Sequence, residues 1–250
     1  MRYFLKLSYN GTPFHGWQRQ PNATSVQQTI EEALSIMTQE KVEITGAGRT
    51  DTGVHAKEMY AHLDIPEIGD RKKFLTSLNR LLGNNIAVND MLKVCPEAHA
   101  RFDAVSRTYE YFISLTKDPF DFNFSHRMER IPDIEKMNQA ASFLLKTEDF
   151  TSFAKLHSDS KTNICKVREA YWRADAHDKK LKFTISADRF LRNMVRAIVG
   201  TLLDVGLGKI NLKEFLEIIN KKDRCAAGVS ISAKGLFLSK IEYPNNIFIL

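Results

Sequence analysis

Tyr3-Phe4-Leu5-Lys6-Leu7-Ser8-Tyr9 puts Tyr3, Leu5, Leu7 and Tyr9 on one face at period two, the pattern of a half-buried strand that Asn10-Gly11 then ends. Ser25 followed by Gln28 has the spacing of a capping box, and Val26, Ile30, Leu34 and Met37 recur at helical intervals after it. The spacing predicts an amphipathic helix. From Met59 to Ile65 the alternation returns, with Met59, Ala61, Leu63 and Ile65 on one side and Tyr60, His62 and Asp64 on the other. Phe74, Leu78, Leu81 and Leu82 predict a second helix, so this part of the chain reads as strand, helix, strand, helix, strand over a single sheet. After Arg107, the residues Tyr109, Tyr111 and Ile113 restart the strand period, and a similar mixture of helices and strands follows. We therefore expect an α/β (α+β) chain of two domains, 1–104 and 105–250, each with its own core. Lys117 to Arg130, with Asp118-Pro119-Phe120 and few periodic positions, reads as a long loop or insertion.

Composition narrows the class. Hydrophobic residues make up 43% and charged residues 26% of the 250, which excludes a disordered chain and a membrane-spanning one. The formal net charge of +6 favours a polyanionic partner, because clustered cations release counterions from a phosphate backbone, although solubility alone accounts for it as well. Cys95, Cys165 and Cys225 are far apart and form no C-x-x-C pair, and the seven histidines are scattered without ligand spacing, so no metal is expected. The start of the chain lacks the apolar run of a signal peptide, and no stretch approaches the roughly 20 apolar residues that span a bilayer. A cytoplasmic protein without membrane contact is the expectation.

Three segments carry chemistry. Gly46-Ala47-Gly48-Arg49-Thr50-Asp51-Thr52-Gly53-Val54-His55-Ala56 presents a carboxylate on a glycine-rich turn beside Arg49; a surface turn with a local ion pair is the plain alternative. Gly46 and Gly48 begin a dinucleotide fingerprint, but Asp51 stands where its last glycine belongs, and no phosphate loop occurs. Asp51-Thr52-Gly53 matches the aspartic-protease triplet, yet that chemistry needs two carboxylates and no second copy exists. A helix expected from about Asp188 to Asp204 places Arg189, Arg192 and Arg196 within an arc of about 60° at about 100° per residue, opposite Phe190, Met194, Ile198 and Leu202. No acidic residue interleaves with these arginines, so the stripe is read as a site for phosphate or carboxylate rather than a solvated face. The stretch from Ala98 to Tyr111 combines Arg101 and Arg107 with Phe102, Tyr109 and Tyr111; guanidiniums bind phosphates and rings stack on unpaired bases, although a strand sending its rings to a core reads equally well.

At this point five motifs resemble one family, the TruA-type tRNA pseudouridine synthases. The loop at 46–56 resembles the signature around their catalytic aspartate, which places that role on Asp51. His15-Gly16-Trp17-Gln18-Arg19-Gln20-Pro21 is similar to their N-terminal motif, and Ser106-Arg107-Thr108-Tyr109 to a second motif whose tyrosine contacts the target base. Arg189 to Gly206 resembles a helix whose arginine pairs with the aspartate, here Arg196, and Gly235-Leu236-Phe237-Leu238 resembles a last motif that sets an apolar residue, Leu236 or Leu238, beside the base. Two positions depart from the pattern: Ser230-Ile231-Ser232-Ala233 stands where prolines are frequent, and Phe14 where tyrosine is usual.

The resemblance implies isomerisation of uridine to pseudouridine at positions 38–40 of the tRNA anticodon stem-loop, without metal or organic cofactor. It also implies a homodimer of subunits with two mixed-sheet domains, helices packed on the sheets, and a basic active-site cleft between the domains. The target nucleotide must then leave its stack, and Arg49, Arg101, Arg107, Arg189 and Arg192 are the candidate phosphate contacts for holding it. Asp51 would attack the sugar or base, or remove a ribose proton; both routes stay open. Tyr109 would stack on the uracil and serve proton transfer at C5. Two competing readings are a non-catalytic RNA-binding module and an aspartic hydrolase built on Asp51.

Overall fold

The computed structural model describes residues 1–156, 161–175 and 179–249, so that His157 and His177 of the scattered histidines lie outside it. Two compact units divide the chain: one comprises Met1–Val105 and Leu238–Leu250, the other Ser106–Phe237. A cut after Ala104 would leave residues 238–250 with the second unit, whereas they return to the first. The edge-on aromatic contacts and backbone bonds described below hold them there.

In the first unit, β1 (Arg2–Tyr9) lies between β3 (His55–Asp64) and β4 (Ile86–Lys93), antiparallel to both. The register sets Tyr3, Leu5 and Leu7 opposite Leu63, Ala61 and Met59, so the period-two residues of both strands share a face. A two-residue strand, β2 (Thr45–Gly46), joins β3 ahead of the Asp51 loop. Helix α1 (Val26–Thr38) begins at Ser25, whose side chain accepts from the Gln28 amide at 3.2 Å, and it buries Val26, Ile30, Ala33 and Leu34. Helix α2 (Arg71–Leu82) packs on β4 and α1. Its Asn79 both donates to and accepts from the backbone of Val88, which locks it to that strand.

The sheet is not half-buried as the alternation predicts. Phe4, on the opposite face of β1 from Tyr3 and Leu5, is wholly buried, and so are most of Tyr60 and His62. The cover comes from the C-terminal segment: Tyr243 and Phe248 meet Phe4 edge-on at 5.2 and 6.3 Å, and Tyr243 meets Tyr60 at 5.1 Å. Backbone bonds from Cys95 N to Ile247 O and from Ile249 N to Lys93 O tie that segment down.

Burial pushes the His62 imidazole down to about 4, with the neighbouring His99 ring, 4.5 Å away, adding to the effect. His62 is therefore neutral at pH 7, and its Nδ1 accepts the Ala100 amide at 3.1 Å. The unfolded chain takes up a proton near 6.5 that the folded chain refuses until about 4. Stability should thus fall on acidification through that window, and thermal melts of His62→Gln should show a shallower acid slope than the native protein. Equal slopes would contradict the assignment.

In the second unit, β8 (Lys180–Ala187) lies between β5 (Ser106–Ser114) and β7 (Val167–Asp175), antiparallel to both. The 117–130 segment contributes a short strand, β6 (His126–Arg127), parallel to β5, so this sheet is mixed. Helix α3 (Ile134–Leu144) covers β7, where Asn138 pairs with both backbone groups of Trp172. Helices α4 (Met194–Gly206) and α5 (Leu212–Lys221) pack on α3, and β9 (Leu236–Glu242) starts in this unit and belongs to the first from Leu238 on.

Helix α4 corrects the Arg-rich helix. It starts at Met194, not near Asp188, because Asn193 takes a left-handed conformation (φ 66°) and no helix passes through it. Arg189 and Arg192 therefore lie on the approach to the helix, and Arg196 is its only arginine. Nor is the helix amphipathic: Met194, Val195, Ala197 to Leu203 and Val205 are all buried. The face expected to carry guanidiniums is covered by the 227–231 segment, whose Val229 carbonyl approaches so close to Gly200 that a Cβ there would sit 2.0 Å from it.

Candidate active site

The Asp51 loop is held by main-chain bonds. Helix α1 leaves its first amides without intrahelical partners, and two of them donate to the loop before it: Val26 N to Gly16 O at 3.2 Å and Gln27 N to Trp17 O at 2.9 Å. Gln27 adds a side-chain acceptor for the Arg19 amide. Thus anchored, the 14–17 loop grips the aspartate loop in turn, with Trp17 N donating to Thr50 O at 3.2 Å and Gly53 N donating to Phe14 O at 3.3 Å. Gly16 has φ +89°, and a Cβ on it would lie 2.4 Å from Thr50 O, so only glycine permits this approach.

Side chains complete the clamp. Thr50 is buried, and its hydroxyl shares a hydrogen bond of 2.9 Å with Tyr9 Oη. The Trp17 indole fills the space that a Gly46 Cβ would occupy. His55, buried, accepts the Gly11 amide at its Nδ1. Asp51 itself stands half-buried in the turn closed by Val54 N donating to Asp51 O at 3.1 Å. A carboxylate is thereby presented on a rigid turn flanked by the exposed Arg49 and Thr52. A nucleophile or base requires such positioning, and here the backbone supplies it.

In the second unit, Tyr109 sits on β5 opposite Ile185 and meets Phe190 edge-on at 5.0 Å. Arg107, two residues earlier, donates from Nη1 to Asp188 O at 2.8 Å. The Asp188 carboxylate accepts the amides of Lys166 and Arg189, so the turn after β8 is fixed and Phe190 is directed at Tyr109. Arg196 is half-buried, and its Nε donates to Ile231 O at 2.7 Å while Ile231 N donates back to Arg196 O at 3.2 Å. The guanidinium is oriented by backbone, not by chance rotamers.

The 230–233 segment, where prolines were missing, is fixed by hydrogen bonds instead. Ser230 Oγ accepts from Asn193 Nδ2 at 2.5 Å and Arg224 Nη2 at 2.8 Å. Tyr111 donates its hydroxyl to Ser232 O at 2.8 Å, and burial pushes that phenol up so that it remains a donor. Arg224, Asn193, Tyr111 and Ser230 are supports that sequence reasoning missed; only the abrupt polarity of Asn193 before an apolar helix hinted at one of them.

The other expected residues are divided between the two units. Arg101 is exposed on a turn of the first unit, Arg192 is exposed and Arg189 half-buried in the second, and both Leu236 and Leu238 are buried. Leu238 belongs to the first unit and Leu236 to the second. Among the described residues no helix is long and apolar enough to cross a membrane.

Comparison with known proteins bears on this arrangement. A family model described as tRNA pseudouridine synthase matches residues 7–103 and 140–244. The chain is 50% identical to the tRNA pseudouridine synthase A of Bacteroides thetaiotaomicron over 99% of its own length and 92% of that protein's. It is 52% identical to the protein of the same name from Parabacteroides distasonis, with 99% and 98% covered. With that of Porphyromonas gingivalis it shares 50% identity over 99% of each chain.

Proposed function

The chain belongs to the tRNA pseudouridine synthases, and on that premise we propose that it isomerises uridine to pseudouridine at positions 38–40 of the tRNA anticodon stem-loop, with Asp51 as its catalytic carboxylate. The observation that carries the reading is the Asp51 loop, clamped through the main chain to the N-terminal motif. A module that merely bound RNA would have no use for so rigid a carboxylate.

The reaction breaks the C1′–N1 bond of uridine and forms a C1′–C5 bond; the C5 hydrogen leaves as a proton and N1 acquires one. Atoms and electrons balance within the nucleoside, so no oxidant, reductant or group donor is consumed. C1′ and C5 are inaccessible in a stacked stem, and the nucleotide must be extruded at a cost of a few kcal/mol, recovered through phosphate contacts and stacking. Arg49 is the phosphate contact nearest Asp51 along the chain; Arg107, Arg189 and Arg192 are the others of this proposal. Tyr109, braced by Phe190, stacks on the uracil and moves the proton at C5. Asp51 acts through its carboxylate, on the sugar or base as nucleophile or on the ribose as base, and Arg196 pairs with it to aim it. Leu236 or Leu238 lies beside the base. The enzyme of this proposal works in the cytoplasm as a homodimer without cofactor.

The test is direct. Purified protein incubated with unmodified tRNA should convert uridines at 38–40, seen as pseudouridine by mass spectrometry of nuclease fragments. Arg196→Ala should lose turnover by about 10²-fold or more, the typical cost of misaiming a catalytic group, while tRNA binding changes little. Near-native kcat in that variant would contradict the pairing.

A further inference from the structure

Residues 98–103 form a turn in the first unit, outside the Asp51 loop, and its backbone is satisfied from several sides. Ala100 donates to His62 Nδ1 at 3.1 Å and accepts from the Tyr243 hydroxyl at 2.6 Å, while Arg2 Nη1 donates to Ala98 O at 3.1 Å. His99 N donates to the Asp103 carboxylate at 2.7 Å, and Asp103 N returns to His99 O at 3.1 Å. Within this frame His99 Nδ1 accepts the amides of both Arg101 and Phe102, at 3.1 and 3.4 Å. Burial lowers the His99 imidazole, in keeping with its use as an acceptor.

The outcome is a large ring displayed to solvent by a pre-organised turn. Phe102 is 74% exposed, backed by the His99 ring at 4.3 Å and capped by the Arg101 guanidinium 5.7 Å from its centre. Ala98 and Ala100, on either side of His99, are buried, so the turn cannot rotate to hide the ring. An aromatic face with a guanidinium beside it is the pair of groups that grips an unpaired nucleotide, the ring stacking on the base and the cation meeting the phosphate. Because the backbone of the turn is already held by hydrogen bonds, little of it has to be ordered on binding.

We propose that Arg101 and Phe102 form an RNA contact separate from the Asp51 loop, Phe102 stacking on an unpaired base of the tRNA and Arg101 binding the adjoining phosphate. The proposal rests on the reading that tRNA is the substrate. It is tested with an unmodified tRNA transcript, whose binding is followed by fluorescence anisotropy over a range of salt while pseudouridine formation is measured on the same samples. Phe102→Ala should weaken binding about tenfold at every salt concentration, the usual worth of one base stack, without changing the slope of log Kd against log salt. Phe102→Trp should restore it. Arg101→Gln should reduce that slope by about one, as the loss of one phosphate contact does. Melting temperatures should stay near native in each, since both side chains are exposed.

Native affinity in Phe102→Ala would overturn the contact while leaving the activity standing. So would a Phe102→Ala protein whose sedimentation mass falls with affinity per protomer unchanged, since that ring would then join two copies of the chain. Failure of the native protein to make pseudouridine would sink the activity whichever way the binding falls.

Discussion

Asp51→Asn protein should bind unmodified tRNA with near-native affinity and make no pseudouridine. The amide has the size of the carboxylate, and the turn around it is closed through backbone atoms, Val54 N to Asp51 O and Trp17 N to Thr50 O, so these bonds survive the substitution. What disappears is the negative oxygen. Nucleophilic attack needs its lone pair and charge, and proton abstraction needs its basicity, so both routes fail together. Loss of an essential group from a catalytic unit typically costs on the order of 10⁴-fold or more in rate, which single-turnover chemical mapping of the tRNA resolves easily. Substantial product from this variant would remove Asp51 from its role and would fit the chain as an RNA-binding protein whose chemistry lies elsewhere.

The second large effect is expected from a residue that touches no substrate in this scheme. Gly16→Ala introduces a Cβ 2.4 Å from Thr50 O and 3.2 Å from the Asp51 carbonyl carbon, where both neighbours are backbone and cannot swing aside. It also forces an L side chain to φ +89°, at a cost of roughly 1–2 kcal/mol before any clash. The chain can relieve the overlap only by parting the 14–17 loop from the aspartate loop, which breaks the bonds from Trp17 N and Gly53 N. Displacement of a reacting group by about 1 Å costs about 10²-fold in rate. We expect kcat to fall by about that factor, tRNA affinity to change only a few-fold, and the melting temperature to drop measurably. A variant with kcat within threefold of native would show that the two loops are not mechanically joined.

Much of the fold was legible from local pattern. The order strand, helix, strand, helix, strand followed from Tyr3 to Tyr9, the Ser25 cap and the alternation at Met59 to Ile65, because each of these signals is set by neighbours in sequence. What escaped was everything set at a distance. Phe4, Tyr60 and His62 read as a solvent face until Tyr243 and Phe248, more than a hundred and eighty residues away in sequence from Tyr60 at the nearer, are seen to cover them. Helix α4 was given too early a start because Arg189 and Arg192 match helical spacing, while the left-handed Asn193 that stops it has no periodic signature.

The candidate site divides in the same way. Gly46 to Gly53 announced itself, since glycines around a lone carboxylate are visible in any alphabet of residues. The partner loop at 14–17 was singled out only through resemblance, because its grip runs through amides and carbonyls that every residue possesses. Likewise the 230–233 segment looked undetermined without prolines, yet Arg224, Asn193 and Tyr111 hold it by bonds that no spacing rule foretells.

The return of residues 238–250 to the first unit has a bearing on how this protein is born. A ribosome delivers the strands of that unit before the second unit, but the aromatic lid over Phe4 and Tyr60 only after it. Throughout synthesis of the second unit, the nascent N-terminal half must wait with a greasy flank uncovered, in the period when chaperones find such surfaces. A message cut short before the codon for Tyr243 would therefore damage the half of the molecule that was translated first.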